Sequence, residues 1–236
     1  MVVDSGAVSA KAGPKAEPDP AGDLLAKVEG RYATILADPP WQFQNRTGKM
    51  APEHRRLLRY PTMTLKEILA LPVATVAAAK SHLYLWVPNA LLQEGLKVMA
   101  AWGFAYKSNL VWYKIRKDGG PDGRGVGFYF RNVTELILFG VRGSLRTLQP
   151  GRTQVNMLVT QKREHSRKPD EIYDVIESCS PGPYLELFAR FHRDGWGQWG
   201  NEDVEENSHY GVAKRKGHLD SQLRLLETPG GYGRKR

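Results

Sequence analysis

The sequence predicts an α/β fold in which a mainly parallel sheet is flanked by helices. Short, continuously apolar runs that fit buried strands alternate along the chain with segments of helical periodicity. Domains of this kind bind their ligands at the carboxyl ends of the strands. Chemistry is therefore expected at Asp38 and in the residues that follow Ala189.

The first half of the chain supplies a strand with a sharp end and a helix with a clear start. Tyr32–Ala37 is a predicted buried strand, and it stops at Asp38 because the two prolines that follow cannot donate to a sheet. Thr64 and Glu67 form a capping box that predicts a helix start, and Pro72 interrupts that helix. The next predicted elements are the strand His82–Val87, the helix Asn89–Trp102 and the strand Ala105–Tyr113.

The second half alternates in the same way after a basic, Gly-rich loop at 114–131. A strand is predicted at Val133–Val141. Proline at the first helical position, followed by two acidic residues, predicts a helix over Pro169–Cys179. The last predicted strands are Tyr184–Ala189 and a shorter one near Trp196–Gly200.

Composition fits one globular domain between two flexible tails. Of the 236 residues, 41% are hydrophobic and 25% are charged. We expect an ordered domain over 24–202, with polar tails at 1–23 and 203–236 that lack hydrophobic periodicity. The apolar runs are too short for a bilayer span, no signal peptide is evident, and the single cysteine excludes an internal disulfide. These features favour a cytoplasmic protein without a membrane partner.

The net charge of +9 is concentrated in the predicted domain. Residues 31–200 hold 24 Lys and Arg against 14 Asp and Glu, and two stretches, 42–59 and 142–168, are strongly basic. Clustered cations in loops suit a polyanion, although a solvated basic surface would look the same. The cations predicted to contact nucleic acid are Arg46, Lys49, Arg55, Arg56, Arg59, Arg163 and Arg167.

Asp38-Pro39-Pro40-Trp41 is the most specific motif in the chain. The exocyclic amine of a base is a poor nucleophile because its lone pair is delocalised into the ring. If the Asp38 carboxylate accepts one N–H and the Pro39 carbonyl accepts the other, the lone pair can point at an electrophilic carbon. The prolines hold these acceptors rigidly, and Trp41 offers a flat face to an extruded base. The alternative is a strand-ending turn with Trp41 as a core aromatic.

Further motifs extend the pattern over nearly all of 31–202. With Asp38–Trp41, the sequence resembles the S-adenosylmethionine-dependent adenine N6-methyltransferases named after the 70-kDa MT-A subunit of the eukaryotic mRNA methyltransferase. The other matching segments are Tyr60–Met63, Tyr84–Trp86, Phe130–Leu136, Gly140–Gly143, Ser166–Tyr173 and Leu185–Arg190.

This resemblance implies a Rossmann-like methyltransferase fold in which the catalytic motif precedes the main cofactor-binding segment. It implies S-adenosylmethionine as cofactor and adenine in nucleic acid as substrate, with the extruded base stacked near Trp41 and Tyr60. Asp38, Pro39, Pro40 and Trp41 are the expected catalytic residues, and Asp38 also borders the cofactor.

Lys168 occupies a position where a helix N-cap would normally be a small polar residue. An ammonium at a helix N-terminus can receive a carboxylate, and the resemblance implies that Lys168 binds the methionine carboxylate of the cofactor. A solvated loop lysine is the alternative. The resemblance also places Glu186, Arg190, His192 and Asn201 around the ribose and adenine. Arg193 and Glu202 depart from the eukaryotic pattern of Asn and Gln, which leaves the ribose contacts open.

The histidines lack metal-ligand spacing, so no metal is expected. A compact chain resembles the prokaryotic and phage DNA-modifying members of the family, which favours DNA over RNA. Two other readings stay open: an RNA adenosine N6-methyltransferase, and an inactive module that only binds nucleic acid. A monomer or homodimer without an obligate partner is expected.

Overall fold

The computed structural model describes residues 19–42, 62–123, 129–161 and 168–200, and they form one seven-stranded sheet with helices on both faces. The strands are β1 Tyr32–Ala37, β2 Ala77–Val87, β3 Ala105–Ile115, β4 Thr134–Arg142, β5 Met157–Gln161, β6 Tyr184–Ala189 and β7 Trp196–Gly200. The helices are α1 Pro20–Lys27, α2 Leu65–Ala70, α3 Val73–Val76, α4 Leu92–Ala101 and α5 Glu171–Cys179, with 3-10 turns at Asn89–Leu91 and Pro150–Thr153.

The sheet is parallel except for one reversed strand. The strand order is β5-β3-β4-β2-β1-β6-β7. β4 runs antiparallel to both of its neighbours, β2 and β3, whereas every other ladder is parallel. This arrangement confirms the predicted α/β class and the Rossmann-like fold that the resemblance implied.

Each face of the sheet carries its own hydrophobic core. On one face, helices α1 to α4 bury Leu24, Ile68 and Trp102 against apolar residues of β1 and β2. On the other face, α5 buries Ile172 and Ile176 against alternate residues of the same strands. Full burial of one such aliphatic side chain stabilises the fold by about 1.5–3 kcal/mol, so both faces contribute.

The predicted capping box starts α2. The Thr64 hydroxyl accepts a hydrogen bond from the Glu67 N–H at 3.3 Å, and Glu67 Oε2 accepts one from the Thr64 N–H at 2.6 Å. The helix ends before Pro72, and α3 begins directly after it. The break positions Ile68, whose carbonyl accepts a hydrogen bond from the Trp102 indole at 2.9 Å.

Two parts of the chain differ from the sequence prediction. Residues 20–23, predicted as part of a tail, begin α1, because the Asp19 side chain caps the first turn and Pro20 occupies the first helical position. Asp23 then accepts a hydrogen bond from the Trp199 indole at 2.8 Å, which joins α1 to β7. The rest of the predicted tails, 1–18 and 203–236, lies outside the described residues.

β5 lies within the basic stretch 142–168, where the sequence predicted no strand. It forms because Leu158 and Thr160 are buried beside β3, where the Trp112 indole donates to the Thr160 hydroxyl at 2.8 Å. Within the described ranges, no helix has the length and apolar content that a membrane span requires.

Candidate active site

Three hydrogen bonds fix the corner that follows β1, Asp38–Trp41. The Trp41 N–H donates to the Pro39 carbonyl at 2.8 Å, and the Met63 N–H donates to the Pro40 carbonyl at 2.9 Å. The Trp41 indole donates to the carbonyl of Trp86, near the end of β2, at 2.9 Å. Because these bonds link the corner to two separate segments, the Asp38 side chain stands on a rigid backbone.

The Trp41 ring is only 6% exposed and packs into the core. An exposed face for an extruded base is therefore not present at Trp41 in this conformation. The structure instead favours the alternative role of a core aromatic that anchors the catalytic corner.

A chain of alternating charges begins at Asp38. The Lys168 ammonium lies 3.3 Å from Asp38 Oδ1 and 2.8 Å from Glu135 Oε2. The other carboxylate oxygen of Glu135 accepts a hydrogen bond from Lys114. Each of these side chains is partly exposed, between 15% and 27%, so a ligand can reach them.

Two tryptophans support the ammonium groups. The Lys168 ammonium lies 4.5 Å from the centre of the Trp86 ring, and the Lys114 ammonium lies 4.6 Å from that of Trp112. The two rings meet edge to face at 5.7 Å. Such cation–π contacts stabilise the charged form of a lysine, which helps to hold both ammonium groups in place.

Burial and the neighbouring charges shift the pKa values of Asp38, Lys168 and Glu135. Burial raises the pKa of the Asp38 carboxyl above its ordinary value, and the charges of Lys168 and Arg190 offset part of that rise. Burial would lower the pKa of Lys168, but Asp38 and Glu135 together raise it, so the ammonium stays charged. Burial would also raise the pKa of Glu135, yet the two lysines lower it to about 2.

A second carboxylate stands beside Asp38 on the neighbouring strand. Glu186 of β6 pairs in register with Leu36 of β1, and its Oε2 accepts a hydrogen bond from the Tyr173 hydroxyl at 2.9 Å. Burial raises the pKa of Glu186 to about 7, with Asp38 adding to the rise, while Tyr173, Arg193 and Arg190 oppose it. Its protonation state therefore changes near neutral pH.

Arg193, a residue that departs from the eukaryotic pattern, contacts Tyr173 and Glu177 in this structure. Its guanidinium lies 4.0 Å from the centre of the Tyr173 ring and 3.4 Å from Glu177. Arg193 therefore packs on Tyr173, whose hydroxyl donates a hydrogen bond to Glu186.

The end of β6 is irregular where the predicted cofactor residues follow. Phe188 has a φ of +64°, a conformation that is strained for a bulky side chain, and the β6–β7 register shifts at the same point. His192, four residues later, is 60% exposed, and its Nδ1 lies 3.2 Å from Gln198 Oε1. The bulge redirects the chain towards the loop that carries Arg190 and His192.

The structure brings four of the predicted site residues to one edge of the sheet: Asp38, Lys168, Glu186 and Arg190. His192 lies on the adjoining loop. Pro39, Pro40 and Trp41 form the corner next to Asp38. The predicted site residues that lie outside the described residues are Arg46, Lys49, Arg55, Arg56, Arg59, Tyr60, Arg163, Arg167 and Asn201.

Lys168 is not a helix N-cap. Asp170 is the N-cap of α5, and Lys168 and Pro169 precede the helix without regular secondary structure. Lysine is tolerated there because its ammonium turns towards Asp38 and Glu135 rather than capping the helix.

The cations of the basic stretch 142–168 do not all border the site. Arg142 is the last residue of β4, and Arg146 and Arg152 come after it. Because β4 is reversed, its carboxyl end lies at the edge of the sheet opposite Asp38, so these three cations lie away from the candidate site.

Sequence reasoning assigned no role to Glu135, Lys114 or Tyr173. A charged residue at the start of an otherwise apolar strand could have drawn attention to Glu135. Its contact with Lys168 joins positions far apart in the chain, which no local pattern shows. The described residues contain no cluster of three His, Cys, Asp or Glu that could hold a metal ion.

Comparison with known proteins identifies relatives of this chain. The model of the MT-A70 family matches residues 32–202. A putative N(6)-adenosine-methyltransferase MT-A70-like protein of Medicago truncatula is 30% identical over 181 residues, 74% of this chain and 27% of the relative. The type II methyltransferase M.MunI of Mycoplasma sp is 30% identical over 188 residues, 73% of this chain and 78% of the relative. The human N(6)-adenosine-methyltransferase catalytic subunit METTL3 is 30% identical over 183 residues, 76% of this chain and 29% of the relative. The chain thus spans only about a quarter of the length of the two eukaryotic relatives.

Proposed function

The chain belongs to the MT-A70 family, and we propose that it is an enzyme that transfers the methyl group of S-adenosylmethionine to the N6 amine of adenine in nucleic acid. The observation that carries this proposal is the position of Asp38. Its carboxylate leaves the carboxyl end of β1 on a rigid proline corner, within reach of the Lys168 ammonium.

The corner offers the two acceptors that an exocyclic amine needs. The Asp38 carboxylate accepts one N–H, and the Pro39 carbonyl, which has two lone pairs and uses one for the Trp41 N–H, can accept the other. Bound S-adenosylmethionine supplies an electrophilic methyl carbon. As the amine becomes positive, Asp38 stabilises that charge, and its raised pKa suits it to take the departing proton.

The residues around the corner fit the charges of this cofactor. An ammonium has three donors, and because Lys168 directs two of them to Asp38 and Glu135, one remains for a carboxylate. Glu186 uses one oxygen for Tyr173 and presents a second acceptor beside β1, which suits ribose hydroxyl groups. Arg190 lies close enough to affect the pKa values of both Asp38 and Glu186, so it stands near both carboxylates.

We propose DNA rather than RNA as the substrate. In support, the chain covers 78% of the length of the type II methyltransferase M.MunI but less than a third of the N(6)-adenosine-methyltransferases it matches. The proposed phosphate contacts remain Arg46, Lys49, Arg55, Arg56, Arg59, Arg163 and Arg167. The proposal includes a domain over 24–202, a cytoplasmic location, and a monomer or homodimer.

One experiment tests the reaction and the substrate together. The protein is incubated with methyl-labelled S-adenosylmethionine and matched pools of DNA and RNA, and the modified base is mapped. Label on adenine N6 of DNA supports the full proposal, whereas label on RNA alone supports the reaction and refutes the choice of DNA. No transfer to either pool, combined with no heat of cofactor binding in calorimetry, would identify an inactive binding module.

A further inference from the structure

A second basic surface lies at the far edge of the sheet. Residues 143–156, which connect β4 to β5, border an open cavity of about 780 Å³. The connection includes the 3-10 turn Pro150–Thr153. Residues that line the cavity include Lys107, Phe139, Ser144, Arg146, Thr147 and Arg152.

Three cations face solvent around this cavity without opposing acids. Lys107, Arg146 and Arg152 are exposed, and we call them the far-edge basic surface. The segments that carry them, 105–111 and 143–156, contain no Asp or Glu. Among the described residues, no carboxylate forms an ion pair with any of the three. Their charge is therefore available to an anionic ligand.

The connection that carries the two arginines is held in place by contacts with buried groups. The Leu148 N–H donates to the Cys179 carbonyl at 2.8 Å, and the Leu145 carbonyl lies 3.3 Å from the ring Nε2 of buried His82. Gly151 packs so closely on Cys179 that an added Cβ would lie 2.5 Å from its Cα. Little conformational entropy is then lost when a ligand binds, which favours recognition.

The far-edge basic surface lies at a definite distance from the candidate active site. Glu135 of β4 contacts Lys168, and Val141 of the same strand lines the cavity. Six residues of strand separate them, about 20 Å at a rise of about 3.4 Å per residue. Duplex DNA rises about 3.4 Å per base pair, so a duplex of two dozen base pairs is long enough to reach from one edge of the sheet to the other.

We propose that the far-edge basic surface binds the phosphate backbone of the nucleic-acid substrate at a distance from the target adenine. The inference rests on the proposed function, because it needs a polyanion whose target base enters at Asp38. It adds a second contact region, on the opposite edge of the sheet, that steadies a long substrate without touching the reacting atoms.

The first test compares two variants that lose the same charge. Lys107→Gln/Arg146→Gln removes two cations of the far-edge basic surface. The control, Lys66→Gln/Lys97→Gln, removes two exposed lysines of α2 and α4 that are not part of that surface. Binding of a 24-base-pair duplex is measured at several salt concentrations, with equal urea midpoints as the folding check. Each lost phosphate contact lowers the slope of log K against log salt by about 0.9. We expect a fall of about 2 and an affinity loss on the order of tenfold for the first variant, and a much smaller change for the second. Equal slopes in the two variants would overturn the proposal.

The second test maps the contact directly. Arg146→Cys is labelled with a tethered iron–EDTA cleavage reagent, which is selective because the one native cysteine, Cys179, is buried. Localised backbone cleavage at a site separate from the methylated adenine is expected, and Lys97→Cys labelled in the same way should cleave little. Absent cleavage, or cleavage centred on the adenine itself, would contradict the inference. The slopes need only binding, so a protein that fails to methylate would refute the proposed function without deciding this test.

Discussion

The ammonium of Lys168 lies 3.3 Å from Oδ1 of Asp38, and the same ammonium reaches Glu135 at 2.8 Å. One cation thus serves two carboxylates that come from different strands of the sheet. The ammonium stabilises the ionised form of the Asp38 carboxyl, and the two carboxylates in turn stabilise the charged form of Lys168.

Replacing the carboxylate should stop the chemistry while leaving cofactor binding nearly intact. In Asp38→Asn or Asp38→Ala, the amine loses an acceptor and the developing charge loses its stabilising partner. We expect kcat to fall by about three orders of magnitude or more, with cofactor affinity within about tenfold of the parent protein. Single-turnover methyl transfer and calorimetry measure the two quantities. Glu29→Gln, at an exposed position before β1, serves as the control, and full activity in Asp38→Asn would refute the assigned role.

Glu135 should act on the cofactor through Lys168. Removing its charge in Glu135→Gln takes away a group that raises the pKa of Lys168 and fixes its position. Cofactor affinity should fall several-fold, and less than additively once Lys168→Met is also present. A double-mutant cycle with a coupling of about 1 kcal/mol or more is the expected result. Additive losses would show that Glu135 and Lys168 contribute separately.

The pH dependence of cofactor binding should follow Glu186. Its pKa of about 7 lies above the ordinary value for a glutamate, so the ionised acceptor becomes populated only as the pH rises through 7. Cofactor affinity should therefore increase between about pH 6 and pH 8. The Tyr173 hydroxyl stabilises the ionised form, so Tyr173→Phe should move the inflection to higher pH. Tyr184→Phe removes a hydroxyl that binds the Ser180 carbonyl instead, and its inflection should stay in place. The same inflection in Tyr173→Phe and the parent protein would remove Glu186 as its source.

The capping box at the start of α2 should contribute measurably to stability. Thr64→Ala removes the hydroxyl that accepts from the Glu67 N–H, and we expect a loss of about 1 kcal/mol in the free energy of unfolding. Thr75→Ala, at an exposed position in α3, should change it by no more than about 0.5 kcal/mol. Urea denaturation of the two variants gives the comparison, and equal midpoints would mean that the cap adds nothing.

Sequence reasoning succeeded where the determining interactions are local. The bounds of β1 and β6 were predicted correctly because each strand is a short apolar run, and β1 ends where prolines cannot pair. The start of α2 was predicted from two residues of one capping box. The sequence likewise drew attention to Asp38 and Lys168, but it did not show that they contact each other.

The features that were missed depend on how distant segments meet. Nothing near Arg146 indicates that β4 is reversed, yet that direction alone places Arg146 at the edge opposite Asp38. β5 was missed because only two of its residues are buried, too few for a clear pattern. Glu135 acquires its neighbours Lys114 and Lys168 through pairing across the sheet, which a pattern of nearby residues cannot reveal.

The bond between Asp23 and Trp199 bears on how this domain combines with others. It holds α1, near the beginning of the described residues, against β7, the last strand, so the two ends of the described domain lie close together. A domain whose two ends lie close together can be inserted into a longer polypeptide without a change in its fold. The eukaryotic relatives, in which the matching region makes up about a quarter of the polypeptide, are longer proteins that contain such a region.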